Sequence, residues 1–247
     1  FMLWQSNSYD NPTMAVFIKT LKITIYAPQG VEIAKKTFNP RLGIVGGISI
    51  LGTSGIVEPM SDEGWKKSLS IELEMKRAQG LDKIILVPGN HGEEFIQNEL
   101  RLDIKYVVRM SNFVGYMLME AKRMGYKKIL LAGHIGKFIK VSAGIFHTHS
   151  KVADARNEIM ISNLALMGAP LEFLQEIDKC VTAEGAVEII DQSEYTGVYE
   201  ILCNKCRDRV KQHLGDDDIE VGVYMFRMDK SYLAKSDNAD SIVEVFR

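Results

Sequence analysis

Two histidines separated by a single residue have the spacing that most clearly suggests ligand chemistry. His147 and His149 flank Thr148. In an extended segment, residues two apart face the same side, so both imidazoles would present hydrogen-bonding groups to one ligand. Hydrogen-bonded loop histidines without a ligand are the alternative interpretation, and the sequence leaves both open.

The same pair could form a zinc site with Cys203 and Cys206, because both pairs have a spacing that zinc ligands use. The cysteines, however, lie inside a predicted helix at 199–214, where positions i and i+3 share one face. Small apolar side chains there are typical of a core. We therefore predict no metal ion of the protein's own. One function that the sequence leaves open is a non-catalytic tetrapyrrole or metal carrier that uses His147 and His149.

A local excess of positive charge surrounds these histidines in a nearly neutral chain. The cations are Lys137, Lys140, Lys151 and Arg156. Such a cluster suits an acidic substrate, and Ser150 is a candidate N-cap that would aim a helix N-terminus at the same place. Asp154 and Glu158 offset part of the charge, so a solvated helix face is the alternative.

Small and hydrogen-bonding residues follow three consecutive predicted strands. They are Asn90, His91 and Gly92 after the first strand, Ser111 and Asn112 after the second, and Gly133, His134, Gly136 and Lys137 after the third. In an open parallel sheet, ligands bind at the edge where the carboxyl ends of the strands meet. The three groups together favour a nucleoside-like ligand, whereas a tight turn around glycine is the alternative for any single loop.

Apolar runs and helical periods predict the elements that hold these groups. Strands are predicted at 21–26, 83–87, 106–108, 129–131 and 219–226, and helices at 31–37, 61–78, 93–100, 113–124, 151–167, 171–181 and 199–214. Ser61 is expected to cap the second helix, and Ser111 or Asn112 the fourth. Strands separated by helices predict an α/β fold. We expect a Rossmann-like parallel sheet with helices on both faces and the last strand at its edge.

The predicted organisation has two parts. Residues 1–60 form a smaller α+β N-terminal part with a glycine-rich run at 39–59, and 61–247 form a Rossmann-like domain that carries the ligand-binding loops. The run is a poor phosphate loop, because Thr53 stands where a P-loop places lysine, and it contains no G-x-G-x-x-G. Neither a nucleoside triphosphate nor a nicotinamide is therefore expected. Glu58 is a candidate for a ribose diol, with a solvated or capping role as the alternative.

The composition is typical of a cytoplasmic globular protein. With 30 basic and 32 acidic side chains in 247 residues, the formal charge of -2 offers no field for nucleic acid or an anionic membrane. The 3 cysteines do not form the even, dense pattern of a disulfide framework, and neither a membrane span nor a signal peptide is evident. The expected partner is a small molecule. A homodimer stays open, because no residue argues for one.

Four stretches resemble the cobalt-precorrin-5B C1-methyltransferase family, CbiD. They are NPRLGIVGGISILGTSGIVEP at 39–59, PGN at 88–90, GHIGK at 133–137 and THSKVAD at 148–154, and the likeness extends over roughly 30–226. The resemblance implies transfer of the methyl group of S-adenosylmethionine to C1 of cobalt-precorrin-5B. The product would be cobalt-precorrin-6A, in anaerobic cobalamin biosynthesis. Cobalt would enter only as part of the substrate, whose carboxylates match the cationic cluster.

The resemblance and the strand-end residues together give a hypothesis for the site. His147 and His149 would be catalytic and move a proton during the rearrangement. The methyl donor would be bound by Gly46, Gly47, Gly52, Thr53, Asn90, Gly92, Ser111, Asn112, Gly133 and His134. The substrate would be bound by Lys137, Lys140, Thr148, Lys151, Asp154 and Arg156.

The start of the chain departs from the family. The family opens with a Thr- and Gly-rich segment of the kind T-G-x-T-T-G-T-C, which nothing in 1–20 matches. The sequence therefore predicts an incomplete or divergent front end. If that segment forms part of the substrate pocket, we expect the chain to fold and to bind the methyl donor without turnover.

Overall fold

The structure, a computed structural model, describes residues 26–48 and 61–247. The chain divides into two compact units, Phe1–Gly55 and Ile56–Arg247. The boundary predicted at residue 60 stays a prediction. The glycine-rich run beyond residue 48, with Gly52, Thr53 and Glu58, lies outside the described residues, as does the predicted strand at 21–26 except for its last residue.

The described part of the first unit contains two short helical segments. Helix α1 (Gly30–Ala34) confirms the first part of the helix predicted at 31–37, although it is shorter. A 3-10 helix at Asn39–Leu42 has proline in its first turn and ends at Gly43, whose φ of 71° is left-handed. Glycine suits this end because it adopts positive φ without a Cβ penalty.

A five-stranded sheet forms the centre of the second unit. Its strands are β1 (Lys83–Val87), β2 (Val107–Arg109), β3 (Lys128–His134), β4 (Glu220–Phe226) and β5 (Tyr232–Lys235). They lie in the order β2-β1-β3-β4-β5, and all neighbours are parallel except β4 and β5. This arrangement confirms the predicted α/β class and the mostly parallel sheet.

The prediction that the last assigned strand lies at the sheet edge is wrong. β4 pairs with β3 on one side and with the antiparallel β5 on the other, so β5 is the edge strand. The physical reason lies in β4 itself, whose residues are buried from Val221 to Phe226. A nearly continuous buried apolar run is typical of a strand with neighbours on both sides and helices on both faces.

The described part of the second unit contains nine α-helices. They are α2 (Asp62–Ala78), α3 (Asn90–Asn98), α4 (Val114–Arg123), α5 (Ile135–Ser142), α6 (Arg156–Leu166), α7 (Leu171–Asp178), α8 (Ala183–Asp191), α9 (Val198–Leu214) and α10 (Ala239–Phe246). Helices α3 and α10 pack on one face, while α5 and α9 pack on the other. No described helix has the length and apolar character to cross a bilayer.

Aromatic packing fixes α3 against the sheet. Phe95 of α3 stacks on Phe226 at the end of β4, with ring centroids 4.9 Å apart, and both side chains are buried. Such buried aromatic pairs contribute about 0.5–1.5 kcal/mol beyond the area they bury. The contact holds the first turn of α3 close to the ends of β3 and β4.

Several predicted element boundaries need correction. β3 continues through Gly133 to His134 and α5 begins at Ile135, so the loop predicted at 132–137 is entirely strand and helix. α3 begins at Asn90, three residues early, because its first turn packs directly on β1 and β3. α6 begins only at Arg156 and α7 ends at Asp178. Four α-helices or strands of the described residues were not predicted at all: α5, α8, β5 and α10.

The predicted helix caps have mixed outcomes. Ser61 caps α2 as predicted, since its hydroxyl accepts a hydrogen bond from the Gly64 amide at 3.1 Å. Ser111 and Asn112 do not cap α4, whose N-cap position is Phe113. Ser150 does not cap α6, which follows Ala155. The side chain of Asn112 bonds to a lysine instead, as described below.

A substitution at Gly133 tests the packing of β3 on α5. A Cβ at this position would lie 2.3 Å from the Phe138 ring, which is fully buried. We expect Gly133→Ala to lower the free energy of unfolding by about 1–3 kcal/mol, the usual cost of overpacking. Urea denaturation of the parent and the variant measures this change in the free energy of unfolding.

Gly89→Ala is the matched control. Gly89 has extended backbone, and a Cβ there meets no heavy atom within 4 Å. Because Gly89 is the N-cap of α3, where alanine is less favourable than glycine, the cost of this substitution should stay below about 1 kcal/mol. Equal stability of the two variants would contradict the packing at Gly133.

Candidate functional site

The crevice at the carboxyl ends of β1 and β3 is where this fold places a ligand. The chain leaves β1 into α3 on one face, and it leaves β2 into α4, which packs with α9 on the other face. The direction of winding therefore reverses between β1 and β3. Ligands of open α/β sheets bind at such a switch point.

The smaller of two clefts at this edge has a volume of about 290 Å³. It is lined by Pro88, Gly89, Asn90, His91, Gly92, His134, Lys137 and Phe226. The structure thus brings together the residues predicted after the first and third strands. Of the predicted donor-binding residues, Asn90, Gly92 and His134 lie here.

Gly92 has a packing role that the sequence alone did not reveal. A Cβ at Gly92 would lie 2.6 Å from the Cβ of Val87 and 3.3 Å from the carbonyl oxygen of Ala132. The glycine therefore lets the first turn of α3 approach β1 and β3. Its φ is not in the left-handed region, so close approach to the protein's own strands is the reason for glycine here.

The larger cleft, about 400 Å³, lies beside the first. Among the predicted site residues, it is lined by Asn112, His134, Lys137, Lys140, Thr148, His149 and Arg156. His134 and Lys137 line both clefts. Three of the four predicted cations, Lys137, Lys140 and Arg156, therefore lie beside the cleft that contains Asn90, Gly92 and His134.

Lys137 is a half-buried ammonium group at the junction of the clefts. Its Nζ donates a hydrogen bond to Oδ1 of Asn112 at 2.9 Å, and no carboxylate of the described residues lies within ion-pair distance. Burial, and then the neighbouring charge of Lys140, lower the pKa of Lys137. A cation held by a neutral amide keeps the capacity to bind an anionic ligand.

Asn112 connects the end of β2 to the histidine segment. Its carbonyl oxygen accepts the Thr148 amide at 3.0 Å, and Phe113 forms an antiparallel bridge with His147. The preceding Ser111 has a left-handed φ of 53°, an uncommon conformation for a residue with a side chain. Ser111 and Gly133 line neither cleft, so their predicted donor contacts stay predictions.

Lys140 holds the segment that carries the histidines. It is only 3% exposed, and its Nζ donates to the carbonyl oxygens of Thr148 at 2.7 Å and Ala153 at 3.1 Å. Burial lowers the pKa of Lys140, against the attraction of Asp154. The ammonium therefore orders the 148–153 segment, while its contact with a substrate stays a prediction.

Arg156 forms a two-point ion pair with Asp154. The guanidinium Nε and Nη2 donate to the two carboxylate oxygens at 2.6 and 2.8 Å. This hydrogen bonding lowers the pKa of Asp154. Arg156 lines the larger cleft, whereas Asp154 lines neither. Asp154 thus orients the arginine. Lys151 is exposed and lines neither cleft.

The two histidines lie in one turn, with ring centroids 6.4 Å apart. Nδ1 of His147 accepts the His149 amide at 3.4 Å, and Nδ1 of His149 accepts the Lys151 amide at 3.1 Å. His149 lines the larger cleft, but His147 packs edge-on against Phe113. The structure therefore brings only His149 to a cleft, and the catalytic role of the pair stays a prediction.

The two cysteines of α9 are core residues, as predicted. Cys203 and Cys206 are fully buried, and burial raises the pKa of both thiols. Among the described residues, no three His, Cys, Asp or Glu side chains gather in a set that could hold a metal ion. The zinc arrangement considered from the sequence has no counterpart in this part of the chain.

Glu184, which was not among the predicted site residues, is the only carboxylate among the described residues that line either cleft. Its Oε1 lies 2.6 Å from Nε2 of His134 and accepts the Met228 amide at 3.0 Å. The sequence did contain a signal for the helix that carries Glu184, because Thr182 is a typical N-cap residue and apolar residues follow it at helical spacing. In the structure, the Thr182 hydroxyl caps α8. Thr182 and Met228 also line the larger cleft.

Two predicted donor residues belong to the other unit. Gly46 and Gly47 lie in the first unit, Phe1–Gly55. Gly46 has a left-handed φ of 86°, and a Cβ at either glycine would meet no heavy atom within 4 Å. Their role in donor binding stays a prediction.

Two family models match the chain. One, described as CbiD, matches residues 9–59, and the other, described as CbiD, C-terminal domain, matches residues 147–237. The first match covers the glycine-rich run. The second covers the histidine segment, Arg156 and Glu184.

Curated relatives match nearly the whole chain. A protein of Clostridioides difficile named cobalt-precorrin-5B C(1)-methyltransferase is 74% identical over 92% of this chain and 56% of its own length. Proteins of the same name from Listeria monocytogenes and Tolumonas auensis are 55% and 52% identical, over 92% and 91% of this chain and 61% and 60% of their own lengths. The chain thus spans about three fifths of the length of these relatives. No solved structure matches.

Replacing Lys140 tests how the histidine segment is held. In Lys140→Met, the carbonyl oxygens of Thr148 and Ala153 lose their shared donor. We expect the free energy of unfolding to fall by about 1–3 kcal/mol, the cost of unsatisfied buried groups. Amide exchange across 148–153, followed by mass spectrometry, should be faster.

The control is Lys151→Met, at an exposed lysine of the same segment. Its stability should stay within about 0.5 kcal/mol of the parent. If Lys140→Met leaves exchange of the segment unchanged, Lys140 does not hold it.

Proposed function

The chain belongs to the CbiD family, and on that basis we propose that it acts in methyl transfer from S-adenosylmethionine to C1 of cobalt-precorrin-5B. The product is cobalt-precorrin-6A, in anaerobic cobalamin biosynthesis. The observation that carries the proposal is the pair of adjoining clefts at the switch point of the sheet, which share His134 and Lys137. Adjoining sites are what a two-substrate transfer requires.

The smaller cleft is the proposed binding place of the methyl donor. Backbone at the start of α3 and the His134 ring surround it, and α/β sheets bind nucleosides at this position. Asn90 offers amide donors and acceptors suited to an adenosine or to the amino-acid part of the donor. That Gly46, Gly47, Gly52, Thr53, Ser111 and Gly133 contact the methyl donor stays a separate prediction from the sequence.

The larger cleft is the proposed binding place of the corrinoid. Lys137, Arg156 and His149 provide hydrogen-bond donors, of which the first two are charged, for the carboxylates on the periphery of the macrocycle. A cleft of 400 Å³ is of ordinary ligand-site size. We therefore propose that it holds one carboxylate-bearing edge of the ring. Cobalt is brought by the substrate.

The chemistry asks mainly for alignment. The carbon nucleophile attacks the methyl carbon, the bond from that carbon to the sulfonium breaks, and S-adenosylhomocysteine leaves. Such a displacement gains most from holding the two reactants in line and excluding water. His149 or His147 would move a proton as the bonds of the corrinoid rearrange after methyl transfer. The non-catalytic carrier is not favoured, because the relatives are named as methyltransferases.

Binding of the methyl donor is the direct test of the proposal. Calorimetry with S-adenosylmethionine and with S-adenosylhomocysteine should give saturable binding to the full chain. NAD is the control ligand and should not bind, because the chain has no G-x-G-x-x-G. Failure to bind either adenosyl ligand would remove the basis for the methyltransferase assignment.

Lys137 should make corrinoid binding depend on pH. Its charge attracts carboxylates while it is protonated, and burial lowers its pKa. Affinity for cobyrinic acid, a corrinoid polycarboxylate, should therefore fall as pH rises at values below the usual lysine pKa of about 10.4. Lys137→Met should weaken binding by about tenfold or more, because a hydrogen bond to a charged group contributes about 1.5–3 kcal/mol. It should also remove this dependence of the affinity on pH.

Lys179→Met, at an exposed lysine outside both clefts, is the control. It should bind cobyrinic acid as the parent does. Unchanged affinity in Lys137→Met would exclude Lys137 from carboxylate binding.

A further inference from the structure

Glu184 connects three elements at the edge of the sheet through a single oxygen. The residue lies in the first turn of α8, and its Oε1 contacts both Nε2 of His134, at the end of β3, and the backbone amide of Met228, after β4. The side chains of His134 and Glu184 are 18% and 25% exposed. Three segments distant in sequence thus meet at one carboxylate.

The hydrogen bonds of His134 define which ring nitrogen carries the proton. Nδ1 accepts the Gly136 amide at 3.1 Å, so the proton of the neutral ring is on Nε2. Nε2 then donates to Glu184 at 2.6 Å. Since both nitrogens are engaged, the ring is held in one orientation as a wall of both clefts.

The segment after β4 is a tight turn that α8 holds at two points. Within the turn, the Arg227 amide donates to the Ser231 carbonyl at 3.0 Å, and the Lys230 amide donates to the Arg227 carbonyl at 2.9 Å. Glu184 binds the Met228 amide, and Asp191 at the other end of α8 pairs with the Arg227 guanidinium. Met228 lines the larger cleft. Helix α8 therefore sets the position of this wall.

We propose that Glu184 is a positioning residue for the clefts: by accepting from His134 and Met228 it fixes the wall that the donor and corrinoid sites share. The proposal rests on the proposed function in assigning the smaller cleft to the methyl donor. Glu184 need not touch either reactant, because it acts through His134 and through the turn after β4. Removing the Glu184 carboxylate releases both His134 and the turn after β4. The methyl donor must then order them as it binds.

The test uses the full chain and two readouts. In Glu184→Ala, amide exchange across 227–231 should become faster, because the Met228 amide loses its acceptor. The affinity for S-adenosylhomocysteine should fall by about tenfold, the order expected when binding must order a loosened wall. In Glu184→Gln, the amide oxygen can still accept from both donors, so both readouts should return towards those of the parent.

Glu188→Ala is the matched control, at an exposed glutamate one turn further along α8. It should leave both exchange and affinity unchanged. If Glu184→Ala binds S-adenosylhomocysteine as the parent does, or if Glu184→Gln is as weak as Glu184→Ala, the positioning role is wrong. If the parent itself does not bind, the proposed function fails, and the exchange readout still decides whether Glu184 holds the turn.

Discussion

Parallel pairing between strands of unequal length is the constraint on which the site depends. β1 pairs with β3 from Lys83 opposite Lys128 to Leu86 opposite Leu131, and then ends at Val87. β3 continues for three more residues beside β4, to His134 opposite Phe226. The end of β3 therefore extends past the end of β1. His134 lines both clefts because its strand is held by β4 after β1 has turned away.

The extension of β3 also explains where sequence reasoning succeeded and where it did not. The bounds of β1, the cap of α2 and the course of α9 were predictable, because each is set by a local apolar pattern and its flanking residues. Gly133 and His134 have the composition of a loop, and only their hydrogen bonds to β4 keep them in a strand. Such pairing is tertiary information that no local pattern carries.

Residues of one chemical type serve different purposes in this site. Lys137 and Lys140 lie on the same helix, yet Lys137 donates to the side-chain amide oxygen of Asn112, while Lys140 donates to two backbone carbonyl oxygens. The sequence predicted the same substrate-binding role for both. Their difference depends on the 146–148 segment, which lies beside the residues after β2. A count of charges could locate the cationic cleft but could not separate the lysine that donates to a neutral side-chain amide from the one that holds a loop.

The hydrogen bonds of the histidines bear on the kind of chemistry that the site supports. In His134 and His149, Nδ1 accepts a backbone amide, so the neutral ring carries its proton on Nε2. A neutral ring in that state donates a hydrogen bond from Nε2, which suits binding of a carboxylate. Transfer of a methyl group from a sulfonium places little demand on a base, so a site of fixed donors is compatible with it. Glu184 is important for the same reason: an ordered His134 needs an acceptor for its Nε2 proton, and Glu184 of α8 is that acceptor.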